Sequence, residues 1–353
     1  MWSTRLEALN GGHTAHRTDA MPSFASMAQT GDTAGTVRAI QTKWDGAWRF
    51  HKMTIRSVSV ATVMLVSLSA FDLALAAPQV KQMQVNGTAL SYVEEGTGEP
   101  VIFVHGAISD LRVWDAYRAR IASKRRFIAY TQRYFGTGEW PDKGEHFSRE
   151  THTEDLIALI KALNAGPVHL VTWSYSGGIG TYAVLKRPDL FRSIVHFEPA
   201  ADALVAGVPG SSSARKATLK PFGPAIKAVK AGQLEDAALR FIEAVFRMPE
   251  GAAASEPEPW PTYWRENGRT IPPFMAAHPG AAISCEQLGA IGVPTLVVQG
   301  ENTHTRYSMM AENLSRCQAN ALLVTMPAVT HDGPYRKPDE FAALIENFLA
   351  LAD

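Results

Sequence analysis

Short apolar runs that alternate with helical patterns constrain this chain more than any other feature of its sequence. Val101–Val104 is wholly apolar, which is typical of a strand buried on both faces of a sheet. Val168–Thr172 predicts a second such strand, and Thr151–Leu163, between them, carries apolar residues at helical spacing. Strands that alternate with helices in this way predict an α/β fold whose mainly parallel sheet is covered by helices on both faces.

Other segments extend this pattern in both directions. The Asn86-Gly87 turn within residues 84–93 predicts a β-hairpin. The remaining predicted strands are Arg126–Tyr130, Ser193–Phe197, Pro294–Val298 and Ala321–Thr325. Further helices are predicted over 177–186, near 306–316 and over Pro338–Leu351. After Pro199 the strand pattern stops, and Lys227–Arg247 is predicted to be helical. We therefore expect a helical lid over about 200–283, inserted between two strands.

Residues 53–76 have the three parts of a secretory signal peptide. Met53–Arg56 supplies a basic start, Ser57–Phe71 an uncharged and largely apolar run, and Ala74–Ala76 the small residues of a cleavage site. The alternative is a transmembrane anchor, which requires about 20 apolar residues and therefore more than this run provides. We predict a periplasmic or secreted protein, with a membrane-anchored protein as the lesser alternative.

A signal peptide should begin the chain, yet residues 1–52 precede Met53. These residues are polar and lack a sustained helical or strand period. We therefore predict that translation starts at Met53, that residues 1–52 are a non-native or disordered leader, and that the mature protein, residues 77–353, begins at Ala77. Export to an oxidising compartment favours a disulfide between Cys285 and Cys317, with two buried free thiols as the alternative.

Charge and motif content exclude several classes of partner. The 353 residues carry 34 basic and 34 acidic side chains, so the formal net charge is zero. Nucleic-acid binders and polybasic membrane-surface proteins need a basic excess, so we expect no nucleic-acid partner and no membrane contact beyond export. The sequence has no H-E-x-x-H, paired Cys-x-x-Cys or Asp-rich metal loop, and no G-x-G-x-x-G or Walker loop. We therefore predict neither a metal nor a cofactor.

Three patterns at the ends of predicted strands carry groups suited to chemistry. His105-Gly106-Ala107 follows the first buried strand, and Ser174 lies between the next one and a Gly-rich helix. A serine between strand and helix sits on a tight turn that exposes its hydroxyl near the helix N-terminus. His331 follows the last strand, which places an imidazole at the same sheet edge.

With these motifs, residues 80–353 resemble the α/β-hydrolase superfamily. The stretches that carry the resemblance are VIFVHG, VHLVTWSYSGG, PTLVVQGE and a histidine before a C-terminal helix that starts P-D-E-F. It implies an eight-stranded, mostly parallel sheet with the lid after strand 6. It also implies that Ser174 is the nucleophile, that His331 is the general base, and that the N–H groups of Ala107 and Tyr175 form an oxyanion hole.

The nucleophile motif departs from the family pattern G-x-S-x-G. It is present here as Thr172-Trp-Ser174-Tyr-Ser176, with small residues in place of both glycines. Ser176 is therefore an alternative nucleophile. Counted from the strand, Ser174 falls at the turn and Ser176 within the helix, which favours Ser174.

The third residue of the family's catalytic triad, the acid that orients the histidine, departs further from the family pattern. The family usually has an aspartate where this chain has Thr303. Glu198 ends the strand Ser193–Phe197, and some family members, haloalkane dehalogenases among them, place the acid after that strand. We favour Glu198, with Glu301 as the alternative acid and a Ser–His dyad as the third possibility. A carboxylate at 198 could instead pair with an arginine near the lid.

Other residues are predicted to be structural. We expect His105 to make a structural hydrogen bond, His196 to be a hydrogen-bonded core residue, and Arg133 to brace neighbouring loops. Three aromatic side chains of the lid either line an acyl pocket or only pack within the lid: Trp260, Tyr263 and Trp264.

Taken together, the sequence predicts an exported serine hydrolase that acts on a small-molecule carboxylic ester through Ser174, His331 and Glu198. C–C, lactone or peracid chemistry on the same triad is the enzymatic alternative. A non-catalytic binding protein on the hydrolase fold is the alternative from another class. The sequence does not assign an oligomeric state.

Overall fold

The predicted strands form one eight-stranded sheet in the computed structural model, which describes residues 78–278 and 280–352. The strands are β1 (Lys81–Val85), β2 (Thr88–Glu95), β3 (Pro100–Val104), β4 (Arg126–Tyr130), β5 (Val168–Trp173), β6 (Phe191–Phe197), β7 (Thr295–Gly300) and β8 (Ala321–Met326). Their order across the sheet is β1-β2-β4-β3-β5-β6-β7-β8. The pairs β1–β2 and β2–β4 are antiparallel and all others are parallel, which is the mostly parallel sheet that the sequence predicts.

Helices connect the parallel strands. They are α1 (Asp115–Ala122), α2 (Arg149–Ala162), α3 (Tyr175–Lys186), α4 (Ser211–Leu219), α5 (Gly223–Lys230), α6 (Leu234–Phe246), α7 (Trp260–Glu266), α8 (Ile271–Ala276), α9 (Cys285–Gly289), α10 (Thr305–Cys317), α11 (Gly333–Arg336) and α12 (Pro338–Ala352). The predicted helix ends are correct to within one or two residues, except in the segment between β6 and β7.

The sheet buries both of its faces, because successive side chains of a strand point to opposite sides. On one face the ring of Phe103 packs 5.2 Å from that of Trp114, just before α1, and Phe197 packs 5.3 Å from Phe341 of α12. On the other face, strand residues share one buried cluster with α2 and α3. Its members include Ile102, Leu170, Ile194, Leu156 and Ile179. The sheet is thus the middle layer of a three-layer core.

The segment between β6 and β7 is helical and carries α4 to α9. The prediction of one helix over Lys227–Arg247 is wrong, because the chain breaks between α5 and α6. Gly232 lies at the break with a φ of 73°, a left-handed conformation that glycine adopts at little cost. The segment predicted to be a lid is therefore helical in the structure, and its role as a lid stays a prediction.

Two further observations concern a disulfide bond and the length of the helices. Sγ of Cys285, at the start of α9, is bonded to Sγ of Cys317, at the end of α10. Across the part of the chain that the structure describes, every helix is too short or too polar to span a bilayer. The predictions for residues 1–52 and for the signal peptide at 53–76 lie outside the described residues.

Candidate active site

A cavity of about 350 Å³ opens at the carboxyl ends of the parallel strands. Its polar wall is built by the chain that follows β3, β5 and β8, which brings Ala107, Ser174 and His331 to one space. Parallel strands deliver their following loops to the same sheet edge, so residues far apart in the sequence meet there. The structure thus brings together the three strand-end patterns that the sequence singled out.

Ser174 stands on the sharp turn between β5 and α3. Its φ of 61° lies in the left-handed region, where a non-glycine residue costs about 1–3 kcal/mol. Backbone hydrogen bonds hold it there: its N–H donates to Phe197 (2.9 Å), and its carbonyl accepts from Gly177 (2.9 Å) and Ala200 (2.8 Å). The neighbouring structure therefore fixes the side chain at the cavity wall.

Thr172 and Ser176, which replace the usual glycines around Ser174, are each accommodated by their surroundings. The methyl group of Thr172 faces Gly180, where a Cβ atom would lie only 3.0 Å away. The hydroxyl of Ser176 is buried, donates to the carbonyl of Val104 (2.8 Å) and accepts from the N–H of Trp173 (3.0 Å). The Ser176 hydroxyl is therefore occupied by hydrogen bonds to the backbone, whereas Ser174 borders the cavity.

Glu198 lies against His331. Nδ1 of His331 donates to Oε2 of Glu198 at 2.5 Å, and both side chains are buried. The same carboxylate accepts from the N–H of Gly300 (2.7 Å) and from the hydroxyl of Thr303 (2.7 Å). Three donors around one buried carboxylate stabilise its charged form in place of water.

Glu301, the alternative acid, is directed elsewhere. Its side chain is exposed and accepts from the N–H of Ala328 at 2.9 Å. Thr303 occupies the position of the usual aspartate and supports the carboxylate that reaches the site from β6. Sequence reasoning missed this contact. The signal for it was a small hydroxyl residue at the very position that lacks the acid.

The imidazole of His331 is held in a fixed orientation. Its ring stacks on Tyr307 with centroids 4.2 Å apart, and its carbonyl accepts from Nε1 of Trp173 at 3.0 Å. Burial raises the pKa of Tyr307 to about 12, so that ring stays uncharged. Nε2 of His331 has no hydrogen-bond partner among the described residues. The second ring nitrogen is therefore available to a reacting group.

Ala107 and Tyr175 border the same cavity as Ser174. Tyr175 is the first residue of α3, and N–H groups in the first turn of a helix have no partner within the helix. The chain after β3 approaches closely, because a Cβ atom on Gly106 would lie 3.3 Å from Cβ of Ser174. This arrangement suits an anionic oxygen beside the serine.

The two histidines expected to be structural are so. His105 is fully buried, with Nδ1 2.7 Å from the carbonyl of Gly106 and Nε2 accepting from the N–H of Gln132 at 3.0 Å. His196 is buried in β6, and its Nδ1 lies 2.7 Å from the hydroxyl of Thr172. Burial lowers the pKa of His105 to about 4 and that of His196 to about 3, so both stay neutral.

Arg133 braces neighbouring segments as predicted. Its guanidinium binds the carboxylate of Asp155 in α2 through two hydrogen bonds of 2.7 and 2.8 Å. It also donates to the carbonyl of Asn86 in the β1–β2 turn at 2.9 Å. These contacts join the hairpin turn to the loop after β4 and to α2.

The opposite wall of the cavity is apolar and comes from the segment between β6 and β7. Its side chains include Phe222, Ile226, Phe241, Ile242, Val245, Phe246, Trp260, Trp264 and Phe274. Two of the three aromatic residues considered from the sequence therefore line the cavity. Tyr263 does not, since its ring packs 4.0 Å from the guanidinium of Arg112. Within residues 78–278 and 280–352, no cluster of three or more metal-ligating side chains forms.

Comparison with known proteins defines the family. A family model described as "Alpha/beta hydrolase family" matches residues 101–344, and the chain belongs to that family. It is 25% identical over 289 residues to a 2-(acetamidomethylene)succinate hydrolase of Mesorhizobium japonicum, covering 76% of this chain and 94% of that protein. It is also 25% identical over 280 residues to the mouse serine hydrolase BPHL, covering 76% of this chain and 85% of that protein.

A solved structure supports the same fold. The esterase EaEST of Exiguobacterium antarcticum superposes with a TM-score of 0.62 at 17% identity, covering 78% of this chain and all of that one. The fold and the family, and with them a relationship to hydrolases, are therefore shown.

Proposed function

We propose that this protein is an exported serine hydrolase that cleaves carboxylic esters. The observation that carries the proposal is the meeting of Ser174, on its strained turn, with the His331–Glu198 pair at one cavity. The names of both relatives support hydrolysis, and the name of the mouse protein, a serine hydrolase, supports hydrolysis through a serine. The apolar wall suits the hydrocarbon part of an ester.

In the first half of the reaction, Oγ of Ser174 attacks the ester carbonyl carbon while Nε2 of His331 takes its proton. Glu198 accepts from Nδ1, which keeps Nε2 in the unprotonated form that a general base requires. The hydrogen bond between Oγ and Nε2 is expected to form with substrate bound, since such contacts tighten in the reactive complex. The N–H groups of Ala107 and Tyr175 stabilise the oxyanion.

In the second half, the protonated imidazole of His331 gives its proton to the leaving alcohol, and the acyl group stays on Ser174. A water molecule then attacks the acyl carbon while His331 takes its proton. The tetrahedral intermediate collapses as the bond to Oγ of Ser174 breaks and His331 returns the proton to Oγ, which releases the acid. The buried position of Glu198 stabilises the imidazolium at both steps, because an opposite charge acts strongly where water is excluded.

The test is hydrolysis of 4-nitrophenyl esters of increasing acyl length by the full chain. The wild type should turn over at least the short esters, and Ser174→Ala should lower kcat by roughly 10³- to 10⁶-fold. Ser176→Ala is the matched control. The hydroxyl of Ser176 contacts only backbone groups, so this variant should keep a measurable kcat that depends on Ser174. A Ser174→Ala variant with wild-type turnover would contradict the proposal.

A fluorophosphonate probe separates an enzyme from a binding protein on the same fold. Such a probe reacts only with an activated serine, so the wild type should be labelled at Ser174 and the Ser174→Ala variant should not. A wild-type protein that neither hydrolyses esters nor accepts the probe would favour the binding protein.

Export is tested at the N-terminus. A signal peptide over 53–76 predicts that the protein recovered from its host starts at Ala77. N-terminal sequencing of that protein checks this, and a mature chain that retains residues 1–52 would overturn the proposed export.

A further inference from the structure

The cavity holds a positive charge that the serine chemistry does not use. Arg149, at the start of α2, lines it and donates to the carbonyls of Tyr175 (2.7 Å) and Ala200 (2.8 Å). Its guanidinium also lies 4.4 Å from the centroid of the Tyr175 ring. Within residues 78–278 and 280–352, no carboxylate pairs with it. Two carbonyls satisfy part of its hydrogen-bonding capacity and leave its charge without a carboxylate in direct contact among the described residues.

The remaining charges at the cavity do not compensate Arg149. Arg215 and Arg306 also line it, and both bind the carboxylate of Asp202, with Nε–O distances of 3.1 Å. Asp202 is the one acidic residue among the residues lining the cavity that the structure describes. Three guanidinium groups therefore face one carboxylate, and burial lowers the pKa of Arg149. A bound anion would offset this excess where water is scarce.

The guanidinium is built into the wall beside the serine. A Cβ atom on Gly178 would lie 2.9 Å from Nη1 of Arg149, so the glycine leaves the space that this group occupies. Nη1 contacts the carbonyl of the residue after Ser174, which places it within about 9 Å of Cα of Ser174 by standard backbone dimensions. A carboxylate a few bonds from a reacting ester carbonyl can reach that distance.

We infer that the substrates are esters that also carry a carboxylate, which Arg149 binds beside the reacting carbonyl. The inference rests on the proposed function and names its substrate class. A guanidinium presents a planar fork of donors that matches a carboxylate. The same residue also braces the chain around Tyr175 and Ala200, so the test must separate binding of an anion from this structural contribution.

The experiment compares matched esters with the full chain. One pair places the charge on the acyl group, mono-4-nitrophenyl adipate against 4-nitrophenyl hexanoate. The other places it on the leaving group, 4-carboxyphenyl butyrate against 4-carbamoylphenyl butyrate. The wild type should favour the anionic member of at least one pair by about 10-fold or more in kcat/KM, after subtraction of spontaneous hydrolysis.

Arg149→Met should lower that preference by about 10- to 100-fold, mainly through KM, because a charge-assisted contact to the ground state is lost. Arg149→Lys should retain part of it, since the charge stays and the fork is lost. Arg192→Met is the matched control: Arg192 lies at the start of β6, at the opposite sheet edge, and its removal should leave the preference unchanged.

Equal losses on the charged and neutral esters in Arg149→Met would show that Arg149 only braces the loop and would overturn the inference. Preference for the neutral member of both pairs in the wild type would overturn it as well. In both cases the proposed function stands, because Ser174 still reacts. Failure of the proposed function gives a different result, with no hydrolysis of any ester and no fluorophosphonate labelling.

Discussion

The two walls of the cavity are built in different ways. The polar wall consists of residues at strand ends. Ser174 in this wall and Glu198, which contacts His331 from behind it, have left-handed φ angles of 61° and 43°. Backbone hydrogen bonds to neighbouring strands, from Ser174 to Phe197 and from Glu198 to Val298, hold both residues in these conformations. The apolar wall consists of helices joined by glycine and proline breaks, and its side chains make contacts without directional bonds. Reactive groups need fixed geometry, whereas a surface for hydrocarbon needs only shape and area.

The largest effect is expected for the carboxylate that supports the polar wall. Glu198→Gln should lower kcat by roughly 10²- to 10⁴-fold, because an amide in this place no longer favours the tautomer with the proton on Nδ1 of His331. Steady-state hydrolysis of a 4-nitrophenyl ester measures this effect. The matched control is Glu301→Gln, whose exposed side chain does not contact His331. The reverse pattern would move the acid to Glu301.

A smaller effect is expected on the apolar wall. Phe241 packs edge-to-face against Phe222 and Phe274, with centroids 5.0 and 5.7 Å apart. Phe241→Ala enlarges the cavity and should raise kcat/KM for 4-nitrophenyl octanoate relative to acetate by about 10-fold. Phe348→Ala, in α12 and away from the cavity, is the control. An unchanged ratio in Phe241→Ala would show that this wall does not select the acyl chain.

The smallest effect concerns His196 in β6, below the polar wall, and the pH dependence of the protein's stability. His196 has a pKa of about 3 when folded against 6.5 for an unperturbed histidine, so below pH 6.5 the unfolded chain binds a proton that the folded chain does not. The folded state therefore loses stability as the pH falls from 6.5 toward 3.

In His196→Gln this proton is absent, so the fall between pH 7 and 5 should be about 2 kcal/mol smaller than in the wild type. Urea unfolding at the two pH values measures the free energy of unfolding of each protein. Parallel pH profiles would mean that His196 titrates alike in both states.

Sequence reasoning worked best where local pattern and function coincide. Apolar strands and the turn at Ser174 follow from residues that are neighbours in the chain, so their positions were predicted closely. The helix predicted over Lys227–Arg247 was wrong at Gly232, because an apolar face continues across a break that only the packing of α5 and α6 reveals. Arg149 was missed because its carbonyl partners, at the start of α3 and in the loop after β6, lie far from it in the sequence.

The sequence by itself determined the alternation of strands and helices, the family resemblance, and the candidates Ser174 and His331, since each depends on short-range spacing. It left two carboxylates open for contact with the imidazole. In the tertiary structure, Glu198 contacts His331 and accepts a hydrogen bond from Thr303, whereas Glu301 lies at the surface. The physical reason is that parallel strands bring distant loops to one edge, and only the assembled sheet fixes which side chains meet there.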